Sequence, residues 1–107
     1  MNDNSLISQA FQTFLQEAPE HAGAWGEVVQ ALSEANALDP KTSALAYLAV
    51  LSVLRLESGV PFHVQIAKRA GASREEVISA VLLGLPAAGN VVTQALPAAV
   101  KAFDSEV

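Results

Sequence analysis

From Ala44 to Leu54 the chain runs for eleven residues without a charge, and its composition there (ALAYLAVLSVL) has no polar side to turn toward water. A helix that is apolar all round must be enclosed by protein. Such a segment is too short to cross a bilayer, whose hydrocarbon core needs about 20 apolar residues. It is therefore expected to be a central helix, packed by its own chain and by a neighbour. Asp39-Pro40 opens it in the expected way, Asp as N-cap and Pro at the first helical position, where a missing N–H costs nothing.

The rest of the chain supports an all-α domain of roughly six helices in a single unit spanning residues 1–107. Ser5 is expected to cap a helix through about Ala18, with Ile7, Ala10, Phe11, Phe14, Leu15 and Ala18 on one face and Pro19 ending it. A second is expected from about Ala22 to Ala35, carrying Trp25, Val28, Val29 and Leu32. After the central helix, Gly59 suits a left-handed C-terminal position and Pro61 the start of a short helix to Ala70. His63, Ile66, Ala67 and Ala70 share the inward face of that helix, and Gln65, Lys68 and Arg69 fall away from it. Gly71 closes it. Ser73-Arg74-Glu75-Glu76 is a capping box for the fifth helix, with Val77, Ile78, Val81, Leu82 and Leu85 inward. The last runs from about Val91 to Phe103, where Pro97 kinks it or delays its start. No segment alternates with period two over any length.

Composition narrows the function. Charged residues are only 16% of the chain, against about 25% in an average domain. Apolar residues make up 51%, and mean hydropathy is +0.33. So little charge implies that apolar surface is shared between subunits, so a homo-oligomer is expected. Acidic residues dominate residues 1–40, which hold no Lys or Arg, and the few basic residues make no basic stripe, so nucleic-acid binding is not expected. No positive segment followed by an apolar run marks a signal peptide, and the cytoplasm is the expected compartment. Val77 to Val100 carries no charge, but Pro86, Gly89, Asn90 and Pro97 interrupt it, and two packed helices are expected rather than a membrane span. Trp25 and Tyr47 are expected as core or interface aromatics. With no cysteine, disulfides, thiolate metal sites and thiol redox chemistry within the chain are excluded.

Leu38-Asp39-Pro40-Lys41-Thr42, the apolar helix after it, His63-x3-Ala67-x3-Gly71 and then Ala72-Ser73-Arg74-Glu75-Glu76-Val77 resemble the carboxymuconolactone decarboxylase and alkylhydroperoxidase D-like superfamily over roughly residues 11–103. The resemblance implies one helical scaffold with two chemistries. Hydroperoxidase members carry two cysteines and a glutamate that here fall on Leu56, Gly59 and Ala44, so peroxide reduction through thiols has no nucleophile in this chain. Decarboxylase members carry a glutamate and, a few residues on, His-Val, which fall on Glu57 and His63-Val64. The implied reaction pushes electrons into a conjugated carbonyl and delivers a proton to carbon, work for a general acid or base without cofactor or metal. His63 is the candidate proton carrier, Glu57 its orienting or charge-stabilising partner, and Arg55 a holder for a substrate carboxylate. The resemblance also implies a trimer or hexamer acting on a small molecule. The alternative expectation is a non-catalytic oligomer that binds a small apolar ligand or a protein.

Overall fold

A computed structural model of the protein describes residues 7–105. Two capping residues and two prolines frame its first half. The Ser8 hydroxyl accepts from the Phe11 N–H at 3.2 Å and starts α1 (Gln9–Glu17), whereas Ser5 lies outside the described residues. Pro19 does not merely end α1: it is the first residue of α2 (Pro19–Ala35). Its fixed φ and missing N–H suit that position as well as they break a helix interior. Asp39 accepts from the Thr42 N–H at 3.2 Å, and α3 (Pro40–Val53) begins at Pro40 as its sequence demands.

The end of α3 departs from expectation. Gly59 is right-handed, with φ −88°, and the left-handed residue is Arg55, with φ 61°. Helical hydrogen bonding stops well before a cap at Gly59 would require. The Leu56 N–H then reaches back to the Leu51 carbonyl at 2.9 Å. The Arg55 N–H donates to the Ser52 carbonyl beside it. These are the paired bonds that close a helix through a left-handed residue. Gly59 instead ends a 3₁₀ turn, Glu57–Gly59, that leads into α4 (Val60–Arg69). At the far end of α4 the same closure falls on a true glycine: Gly71 has φ 98° and the Ala72 N–H bonds the Ala67 carbonyl at 2.9 Å.

The capping box then forms in full, with the Glu76 N–H donating to Ser73 Oγ at 3.0 Å and the Ser73 N–H to Glu76 Oε1 at 2.9 Å, and α5 (Arg74–Leu82) follows. A single turn α6 (Leu85–Ala88), a 3₁₀ stretch Gly89–Ala95 and α7 (Leu96–Asp104) come last, so Pro97 delays the last helix rather than kinking it. Leu85 lies beyond α5 and is exposed, because the helix stops before reaching it. Residues 74–104 together have the length and composition of a membrane span. Taken alone, α5 is far too short to cross a bilayer, and α5 and α7 fold back against each other. The fold class is all-α, with no strand among the described residues.

Leu48, Val60, Val64, Val77, Val81 and Val92, with Ala67, Ala95 and Ala99, form the core between α3, α4, α5 and α7. Small side chains let these helices approach closely. At Gly84 a Cβ would lie 2.7 Å from Val53 Cγ2, so glycine is needed where the α5–α6 turn meets α3. Gln65 and Lys68 do not fall away from the packed side of α4. Gln65 is buried and its amide donates to the Ala102 carbonyl; Lys68 Nζ donates to Phe103 O at 2.6 Å and Ser105 O at 3.1 Å, over the Phe103 ring. These donors satisfy carbonyls at the C-terminal end of α7, where a cation is also favoured by the helix dipole. Nor is α3 enclosed on all sides: Ala44, Leu48, Leu51 and Ser52 are buried, whereas Tyr47, Val50, Val53 and Leu54 are exposed. Neither α1 nor α2 contains a buried residue.

Gln65→Ala removes a buried amide and its bond to the Ala102 carbonyl, which keeps only the longer bond from the Ser105 N–H at 3.3 Å. It is expected to lower unfolding free energy by about 1–3 kcal/mol in a urea titration. Arg55→Gly relieves the cost of the left-handed backbone. It is expected to raise unfolding free energy by about 0.5–1 kcal/mol after the glycine's extra unfolded-state entropy, while Arg55→Val moves the midpoint the other way.

Candidate functional site

Between α3 and α4 lies an open hollow of about 650 Å³. One wall is the helical face of α3 carrying Pro40, Ser43, Ala44, Tyr47 and Val50; the other is His63 and Ile66. Those two are three apart and so adjacent on α4. The rim comes from Ser33 and from the link between α2 and α3. That link is held by Asn36, whose Oδ1 accepts from the Leu38 N–H at 2.9 Å and whose Nδ2 donates to Ser43 Oγ at 2.7 Å. The hollow thus has apolar walls, a small polar group at Asn36 and Ser43, and His63.

His63 is half-buried at the edge of the core rather than inward with Val60, Val64 and Ala67, since its position on α4 turns it sideways toward α3. Its ring lies 4.3 Å from the Tyr47 ring, tilted 45°, and 5.4 Å from Phe62 in an edge-on arrangement. Among the described residues nothing hydrogen-bonds either ring nitrogen, and neither nitrogen is wholly shut off from solvent. Burial against the two aromatic rings holds the imidazole pKa below its ordinary 6.5. The neutral form therefore dominates at pH 7. A neutral imidazole takes a proton before it gives one.

The other two sequence candidates fall elsewhere. Arg55 Nη2 and Glu57 Oε1 lie 3.4 Å apart and pair with each other, and neither lines the hollow. Ala44, at the position where the resemblance implies a glutamate in hydroperoxidases, does line it. Tyr47, Asn36 and Ser43 were not foreseen as site residues. Tyr47 was legible in principle, since it lies on the helical face of Ser43, Ala44 and Val50, but the contact with His63 depends on how α4 docks. Asn36, two residues before Leu38 and ahead of a helix cap, carries the pattern of a side chain that closes its own turn.

The sequence profile of the carboxymuconolactone decarboxylase family matches residues 19–101, and the chain belongs to that family. No curated protein and no solved structure matches it.

Because His63 is protonated less readily in the folded chain than in the unfolded one, the unfolded state binds more protons as pH drops below the ordinary imidazole value, and stability falls with it. The carboxylates held low by hydrogen bonds, Glu76 and Asp104, lose their contribution only in more acidic solution. Chemical denaturation across pH is therefore expected to show stability falling as pH drops below 6.5, a slope that His63→Gln flattens, leaving the more acidic part intact.

Proposed function

We propose that this family member is a cofactor-independent lyase or related small-molecule enzyme in which His63 takes and returns a proton at carbon. The observation that carries this is an imidazole with both nitrogens free, kept neutral by its surroundings, in a hollow opposite a fixed Asn36–Ser43 pair. A carbonyl compound seated there has a base on one side and hydrogen-bonding groups on the other. In an isomerisation His63 accepts a proton from the carbon next to the carbonyl and its imidazolium returns that proton to another carbon of the resulting enolate; in a decarboxylation the substrate carboxylate leaves as carbon dioxide, and a proton that His63 has taken up from solvent goes to the carbon it left. Tyr47, tilted against the ring, restricts its orientation. Apart from the imidazole and the Tyr47 phenol, the residues that line the hollow carry no ionisable group and no fixed charge, which favours a substrate that is neutral or keeps its carboxylate at the open mouth. The Arg55–Glu57 pair, outside the hollow, is assigned no direct step in this reading.

The same shortage of charge favours a second reading, a protein that binds a small apolar ligand without converting it. The test offers carboxymuconolactone, and an uncharged unsaturated γ-lactone in D₂O, to wild-type and variant chains. Carbon dioxide release or deuterium incorporation at carbon is expected for wild type and for Glu57→Gln. His63→Ala is expected to reduce either by about 100-fold or more, the range of a lost general base. Binding by wild type with no turnover of either compound supports the second reading instead. For a base, the rate rises with pH through the lowered His63 pKa and levels off by neutrality.

A further inference from the structure

Ser43 lines the hollow from α3, partly buried, one helical turn before Tyr47 and so on the same face. Four residues rise about 6 Å along a helix, and the Tyr47 ring in turn meets the His63 ring. A small compound lying along α3 in the hollow therefore faces Ser43 at one end and His63 at the other.

The hydrogen bonds around Ser43 have a fixed direction. The Leu38 N–H can only donate, and it points at the Asn36 side chain at 2.9 Å, so the amide atom that meets it is the oxygen. The other arm of the amide, Nδ2, carries only hydrogens and donates to Ser43 Oγ at 2.7 Å. Asn36 thus occupies a lone pair of Ser43 and leaves the hydroxyl proton to be given elsewhere. Within the chain that proton has the Leu38 carbonyl at 3.4 Å, beyond the roughly 2.5–3.0 Å of a hydroxyl hydrogen bond. It is nearly unspent. A hydroxyl that already accepts a hydrogen bond also donates more strongly, because bonds in a chain polarise one another. Such a group recognises an acceptor. Since no fixed charge lines the hollow, an uncharged carbonyl oxygen suits it better than a carboxylate, which would lose its hydration without gaining a cation.

We propose that Ser43 donates to the carbonyl oxygen of an uncharged lactone or ketone, with Asn36 as the positioning residue that turns the hydroxyl toward it, an assignment that rests on the reading of the hollow as a site. When His63 takes the proton from the carbon beside the carbonyl, the C–H electron pair becomes the new carbon–carbon π bond and the carbonyl π pair moves onto oxygen. The Ser43 O–H tightens on that enolate oxygen without giving up its proton. The imidazolium then returns its proton to another carbon and the carbonyl re-forms, so the arrangement serves an isomerisation that balances with no co-reactant.

Two variants separate a donor from a structural hydroxyl. Ser43→Ala removes the proton. Asn36→Asp keeps an acceptor for the Leu38 N–H, and with it the link between α2 and α3, but turns a second acceptor on Ser43 and draws the proton away. The probe is a saturated γ-lactone, which cannot isomerise, carrying a heavy carbon isotope at its carbonyl and read by infrared difference against the unlabelled compound. Its carbonyl band is expected at lower wavenumber on wild type than on Ser43→Ala or Asn36→Asp, with Ser43→Thr restoring the wild-type position. Loss of lactone binding by Ser43→Ala, with Ser43→Thr binding as wild type does, supports the donor equally. With the unsaturated γ-lactone in D₂O, Ser43→Ala is expected to lower kcat by about 100-fold, the range for one lost oxyanion donor, and Ser43→Thr to recover most of it. An unchanged band on Ser43→Ala, or no binding of the saturated lactone to wild type, overturns the proposal, and a wild-type band on Asn36→Asp overturns the part given to Asn36. The expected band shift in a chain that turns over no lactone keeps the Ser43 donor and refutes the enzymatic reading. Full turnover by Ser43→Ala, with loss on His63→Ala, does the reverse.

Discussion

The Leu56 N–H reaching back to the Leu51 carbonyl at 2.9 Å turns the chain at the end of α3 and sends α4 back along it. Without that closure α4 has no fixed line of approach. With it, Val60 and Val64 drop into the core against Leu48 and Leu51, and His63, next to Val64 in the chain, is left at the seam facing Tyr47. The turn depends on Arg55 in a left-handed conformation. A side chain resists that conformation, so the surrounding packing holds what the local sequence disfavours. Placement of the imidazole is a product of chain reversal rather than of any bond made by the imidazole itself.

Much of this was legible in the residues, and the exceptions share a cause. Asp39-Pro40 and Ser73 with Glu76 act through near neighbours, so their signals survive in sequence and appear as real hydrogen bonds. Gly59 misled because glycine permits a left-handed backbone without requiring one. Where helical bonding stops was set by Leu51 and Ser52 accepting from further along the chain. Gln65 reads as polar and therefore outward, yet its partner is the Ala102 carbonyl, remote in the chain, which no local pattern reveals. The ring contact between Tyr47 and His63 is of the same kind.

The uncharged run of α3 has a double use. One side of it holds the domain together through Ala44, Leu48 and Leu51, and the other, Tyr47, Val50 and Leu54, flanks the hollow and remains exposed in the single chain. A helix apolar all round thus satisfies the core and leaves a surface that water does not favour, next to the His63 imidazole.

The polar clamp on the other side of α4 gives the hollow a distant dependency. Gln65 and Lys68 hold the carbonyls of Ala102, Phe103 and Ser105, while His63 and Ile66 on the same rigid helix form a wall of the hollow. A helix gripped at its back by the end of α7 works as a lever. Fraying of that last turn frees α4 to roll, and the imidazole swings with it, so the tuning of the site is set partly by residues on the far face of the fold.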